Sequence, residues 1–148
     1  MVLNESVVTQ DEKTNAMLAH ASIVLGLFSR GTLGILLAFL IWVTQRNKSR
    51  FASRQAAQAA VYQLIGLLVT IIVWIVWGLM MAGSIAIPVL LDPRRPEIFF
   101  PFTMIPALAL IVFPLAVSFG WVVYGIYAAV QVWHGKDFSY PVMGNWVK

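Results

Sequence analysis

The sequence predicts an all-α membrane protein: two long transmembrane helices preceded by a short helical hairpin and an interfacial helix. Three observations point there. No Asp, Glu, Lys or Arg stands between Gln55 and Leu91, and none stands between Ile98 and Trp133. Each stretch exceeds the roughly 20 apolar residues that a helix needs to cross a hydrocarbon core about 30 Å thick. The composition, 60% hydrophobic against 11% charged over 148 residues, would leave a water-soluble domain with more apolar surface than its core could hide.

Residues 1–13 read as a polar N-terminal tail, without the basic start or small-residue cleavage site of a signal peptide. Residues 14–133 form the membrane domain. Its first part, 14–44, holds two short apolar stretches, Thr14 to Phe28 and Thr32 to Thr44, separated by Ser29-Arg30-Gly31. One kinked helix would leave Arg30 near mid-bilayer at a cost of about 2.5 to 3.5 kcal/mol. A short helical hairpin brings Arg30 to the headgroups instead, with Gly31 and Gly34 fitted to the turn. The hairpin is the preferred reading, and the single span stays open beside it.

Residues 51–63 are alanine-rich, with Arg54 and Gln58 one turn apart and Ala52, Ala56 and Ala60 on another face, the pattern of an interfacial helix. Residues 64–91 form the first transmembrane helix. Thirteen Leu, Ile, Val or Phe side chains between Leu64 and Pro88 favour insertion by about 4 to 8 kcal/mol. The link Asp92-Pro-Arg-Arg-Pro-Glu97 has the prolines and balanced charges of a turn in water. Residues 98–133 form the second transmembrane helix, with Pro101 and Pro106 in its entry segment and Pro114 at a kink. Residues 134–148 are a polar C-terminal tail.

Orientation follows from the basic residues. Arg46, Lys48, Arg50 and Arg54 hold four of the ten Lys and Arg residues, which puts this membrane-surface cluster in the cytoplasm and the Asp92 to Glu97 link outside. The C-terminus is then cytoplasmic, in a multi-pass protein of a bacterial inner membrane. The net charge of +4 is a topology signal and not a nucleic-acid footprint. Trp42, Trp133, Tyr62, Tyr124, Tyr127 and Tyr140 lie near predicted helix ends, where amphipathic rings settle at headgroup depth. Trp74, Trp77 and Trp121 lie deeper and should pack against another helix or a partner.

Few residues carry chemistry. Without cysteine there is no disulfide, thiolate metal site or cysteine nucleophile. The acids Glu5, Asp11, Glu12, Asp92, Glu97 and Asp137 all lie in polar segments, Ser118 has no nucleophile elbow around it, and no phosphate-cradling loop is present. The chain reads as no enzyme. His20 is the one imidazole inside the first apolar stretch. An intramembrane ionisable group is a site hypothesis, here an axial ligand to a chlorophyll-type pigment or haem. A neutral imidazole bonded to a neighbouring helix is the preferred reading, and no cofactor or metal is predicted. His134 should cap a helix end. Gly78, Ala82 and Ala86, Ala116 and Gly120, and Gly125 and Ala129 repeat at four-residue spacing, which lets backbones approach closely. Packing within one protomer is favoured over a seam with a partner.

Several runs carry a family resemblance: Leu18-Ala-His-Ala-Ser22, Phe39-Leu-Ile-Trp-Val43 before a basic turn and Phe51, the helix from Ala56 to Gln63, and Tyr124-Gly-Ile-Tyr-Ala-Ala-Val-Gln131 followed by Gly135 and Tyr140-Pro141. From about Met17 to Trp146 the chain resembles small bacterial membrane proteins of unknown function, grouped with the Tic-twenty-like import component of the chloroplast envelope and with magnetosome membrane proteins. It departs from them in having Ser53, Arg54 and Gln55 where members often carry His or Glu, and in a longer outer link. The resemblance implies a compact helical domain, no enzymatic activity and a role in larger assemblies. Three functions stay open at this point: an accessory or assembly subunit beside a larger membrane complex, which is preferred; a pore or protein-translocation component, as in the import branch; and a pigment- or cofactor-holding subunit built on His20. The expected partners are the lipid bilayer and other membrane subunits, with a homo-oligomer also open.

Overall fold

A computed structural model of the chain describes residues 8–141. Among them every regular element is helical: α1 Gln10–Ala21, α2 Ile23–Phe28, α3 Thr32–Gln45, α4 Arg50–Leu91, α5 Phe100–Ala109 and α6 Val112–Trp133, with a 3-10 turn at Pro96–Ile98. Two stretches, α4 and the run Phe100–Trp133, are long and apolar enough to cross a membrane, and few residues in their most apolar windows are buried. A core helix of a soluble domain hides such side chains. Here Leu79 is 68% exposed and Phe102 77% exposed, an apolar surface suited to lipid or to another helix.

The described residues form two compact units, one within 8–67 and 121–141 and one within 68–120. In the first unit, Thr9 opens α1 with a capping box: its hydroxyl accepts from the Glu12 N–H, and the Glu12 carboxylate accepts from the Thr9 N–H at 2.8 Å. The last residues of the expected polar tail are therefore helical. The rest of that tail and of the C-terminal tail lies outside the described residues. α1 and α2 both pack on α3. The chain reverses at Ser29–Gly31, where Arg30 (φ 54°) and Gly31 (φ 94°) are left-handed. Gly34 takes no part in that turn, contrary to the sequence reading. It lies inside α3 at a close approach: a Cβ there would fall 2.7 Å from the Ser22 carbonyl oxygen and onto Gln63 Oε1.

The sequence expects an interfacial helix over 51–63 running into a span over 64–91. The structure makes them one helix of 42 residues. No Gly, Pro or capping residue stands at Gln63-Leu64 to stop the backbone ladder. One face of this stretch is the wall of a core. Ala52, Ala56 and Ala59 meet Ala16, Ala19 and Ala38, all fully buried, and such small side chains let helix axes approach closely.

The second unit is organised by its prolines. Proline has no N–H, so Pro88 inside α4 leaves the Ser84 carbonyl without its usual partner, and the Thr103 hydroxyl donates to it at 2.8 Å. The final membrane stretch breaks at Leu110 and Ile111, ahead of Pro114 where the sequence reading puts a kink. The pyrrolidine ring crowds the carbonyl four residues back, which is that of Leu110. At the break the Ile111 N–H turns to Leu108 O, and the indole of Trp77 donates to the freed Ala107 carbonyl at 3.1 Å. Trp74 donates to Ser118 Oγ at 3.3 Å, and Ser118 donates to Pro114 O. These bonds matter most where no water is available to replace them.

Candidate functional site

The polar side chains of the first unit converge under its alanine core. Their geometry begins at the end of α6. Gly135 (φ 77°) terminates that helix in a Schellman turn, with its N–H on Val132 O at 2.8 Å and the Lys136 N–H on Gln131 O at 3.2 Å. Only glycine takes this backbone without strain. The turn sends Asp137, Phe138 and Tyr140 back against α1 and α4.

Asp137 accepts from Arg54 Nη1 at 2.7 Å through one oxygen and from Gln55 Nε2 at 2.8 Å through the other. Gln55 Nε2 also donates to the Phe138 carbonyl at 2.9 Å. Both amide hydrogens of Gln55 are thus committed, so its Oε1 is the acceptor that faces His20 Nε2 at 3.1 Å. This fixes the imidazole: Nε2 carries the proton, and Nδ1 accepts from the Tyr140 hydroxyl at 3.0 Å. The chain Arg54, Asp137, Gln55, His20, Tyr140 ties α1, α4 and the segment after α6 into one network. His20, Gln55 and Tyr140 are each at most 1% exposed.

Aromatic rings close the cluster. Tyr140 stacks on Tyr62 (centroids 4.0 Å apart, planes within 6°), and Tyr62 stacks on Trp121 at 4.9 Å. The Tyr62 hydroxyl donates to Trp121 O at 2.7 Å and the Trp121 indole to Tyr62 O at 3.3 Å. Tyr62 and Tyr140 are therefore core residues, against their expected place in a headgroup belt. Below them Gln63 Nε2 donates to Ala19 O and to Ser22 Oγ, at 3.1 and 2.9 Å, where α1 gives way to α2.

His20 lies in α1, outside the two long apolar helices. Burial, against a smaller opposing effect of the Gln55 bond, pushes its imidazole down to about 4. Burial, followed by the phenols of Tyr62 and Tyr124, holds the Tyr140 hydroxyl above its ordinary range. The Ser49 hydroxyl, followed by the Thr9 N–H, holds Glu12 below the usual carboxylate range. At neutral pH the network is a neutral imidazole and phenol anchored to one ion pair.

Both His20 nitrogens are engaged by protein groups, so axial ligation of a pigment or haem would first have to displace Tyr140 or Gln55. No group of three or more His, Cys, Asp or Glu gathers among the described residues. Of Arg54 and Gln58, both expected at the polar surface of an interfacial helix, Gln58 points inward and Arg54 stays partly exposed. Arg54 is held by Asp137, and Gln58 is fully buried with no hydrogen-bond partner among the described residues for either end of its amide. Arg46, Lys48 and Arg50 are exposed. His134 Nδ1 meets Val130 O of its own helix at 2.7 Å.

The small-residue pattern divides. A Cβ at Gly125 would fall 2.8 Å from Ile23, and Ala129 is buried beside it in sequence register. Gly78 and Gly120 have no atom of the chain within 4 Å of a Cβ, and Ala82, Ala86 and Ala116 are exposed. Sequence reasoning missed Gln55, Gln63, Asp137 and Tyr140 as parts of one site. A signal was present: glutamines at 55, 58 and 63 sit in an otherwise apolar helix, and a glycine follows α6 three and five residues before Phe138 and Tyr140.

Among the described residues the chain is all-helical, with a polar cluster locked by its own hydrogen bonds and two apolar stretches long enough to cross a membrane, the makeup of a membrane-associated helical protein. The chain belongs to the magnetosome magnetite crystal formation protein family, whose model matches residues 11–147. The magnetosome side of the resemblance is thereby shown. No curated protein and no solved structure matches the chain.

Proposed function

We propose that this chain is a non-enzymatic accessory or assembly subunit of the magnetosome membrane, packing beside a larger membrane complex that forms magnetite crystals. One observation carries the reading. His20, Gln55 and Asp137 spend their polar atoms on one another and hold the first unit closed, whereas the faces of α4, α5 and α6 within Leu68–Gly120 are left bare. A locked cluster offers a substrate little, and bare small-residue positions offer a neighbouring helix a close approach. On this reading the turn holding Arg46, Lys48 and Arg50 is cytoplasmic, as is the C-terminus, and the Asp92 to Glu97 link lies on the opposite side.

The test is purification of the full chain in mild detergent, joined to electron microscopy of crystals in cells carrying the same variants. The wild type should bring down a stoichiometric membrane partner. Gly78→Ile with Gly120→Ile, at two positions where an added Cβ faces open space among the described residues, should lose that partner and change crystal size or shape. A lone monomer, with crystals unaltered when the gene is deleted, would defeat the proposal.

A further inference from the structure

The turn between α3 and α4 carries a second feature that the buried cluster does not use. Arg46, Lys48 and Arg50 are exposed within five residues, and among the described residues none of them forms an ion pair. Arg54, the fourth member of the basic run, is set apart by its bond to Asp137. Glu12 comes close to this turn, its carboxylate reaching the Ser49 hydroxyl, with Asp11 and Lys13 beside it on α1. Among the described residues, three cations outside any ion pair stand against the Glu12 carboxylate, which leaves a net positive patch.

Directly below the patch in sequence, the last turns of α3 expose Phe39 (49%), Leu40 (57%) and Val43 (38%), with Trp42 tilted against Phe39 at 5.4 Å between centroids. The turn therefore presents cations at the end of an apolar helix face. A free phosphate would use the cations alone. A phospholipid uses both, with its phosphate on the cations and an acyl chain along α3.

We infer that Arg46, Lys48 and Arg50, with the exposed face of α3, form a binding site for the headgroup of an anionic phospholipid. The inference stands apart from the assembly role, since it concerns lipid and not a protein partner. Each cation near an anionic surface contributes about fivefold in affinity, so the three together should contribute about a hundredfold.

The experiment is native mass spectrometry of the full chain in detergent, titrated separately with phosphatidylglycerol, phosphatidylcholine and inorganic phosphate. The wild type should retain phosphatidylglycerol and release phosphatidylcholine. The Arg46→Gln, Lys48→Gln, Arg50→Gln variant should lose at least tenfold in phosphatidylglycerol affinity with unchanged helix content by circular dichroism. Arg46→Lys with Arg50→Lys should keep most of it and so exclude a folding defect. Equal retention of both lipids, full retention by the glutamine variant, or displacement of the lipid by millimolar inorganic phosphate would overturn the site.

Discussion

Lowering the pH should loosen the buried cluster through His20. The folded imidazole sits at about 4 against an ordinary value near 6.5, so protons bind the opened form more readily. Its contribution is complete above about pH 6.5 and is lost as the pH falls from there toward about 4, amounting to about 3 kcal/mol at most. Thermal unfolding in detergent between pH 7 and 4 should show this slope, and His20→Gln should flatten it while lowering stability at pH 7. Gln55→Leu should cost more than loss of one bond, because it strands an imidazole N–H and one oxygen of Asp137 together; about 2 to 4 kcal/mol is expected in the same assay. Tyr140→Phe keeps the stack on Tyr62 and removes only the hydroxyl, so its loss should stay near 1 to 2 kcal/mol, roughly.

At the scale of the helices, the prolines and glycines set separable expectations. Thr103→Val should destabilise by about 1 to 3 kcal/mol because the Ser84 carbonyl loses its substitute donor. In a Pro88→Ala background the helix regains its own N–H at that carbonyl, and the same change should cost far less; a double-mutant cycle by thermal unfolding measures the difference. Gly34→Ala should destabilise by more than 1 kcal/mol, roughly, since its new Cβ meets the Ser22 backbone oxygen, which cannot swing away. Gly120→Ala meets nothing and should leave the isolated chain unchanged or slightly more stable. The two glycines look alike in a sequence pattern. Their difference is legible only in what stands opposite them.

For the molecule as a whole, the bare apolar helices require detergent or lipid, and the natural absence of cysteine makes topology directly measurable. Single cysteines at Lys48 and Arg94 should label from opposite sides of the membrane, and one at Ser139 should label from the same side as Lys48. Labelling of Lys48 and Arg94 from one side would remove the two-span arrangement.

Charge-free length is a property of the chain alone, so the two apolar stretches, the helical class and the break of the chain at Asp92 to Glu97 were all readable before any fold was known. The site was not. His20 stood out as an ionisable residue, yet its partners lie 35 and 120 residues away, and no local period links Gln55 or Tyr140 to it. The buried face of 51–63 was hidden for a related reason: an alanine-rich stretch with spaced polar residues suits a membrane surface and an alanine core equally well. Only the docking of α1 and α3 on it, with the chain returning at Gly135, decided that Gln55 and Gln58 face inward. Sequence by itself determined that the chain is helical and apolar, because those depend on composition along one segment. Tertiary structure decided which polar atoms are spent and which faces stay open, because each bond needs two segments to meet.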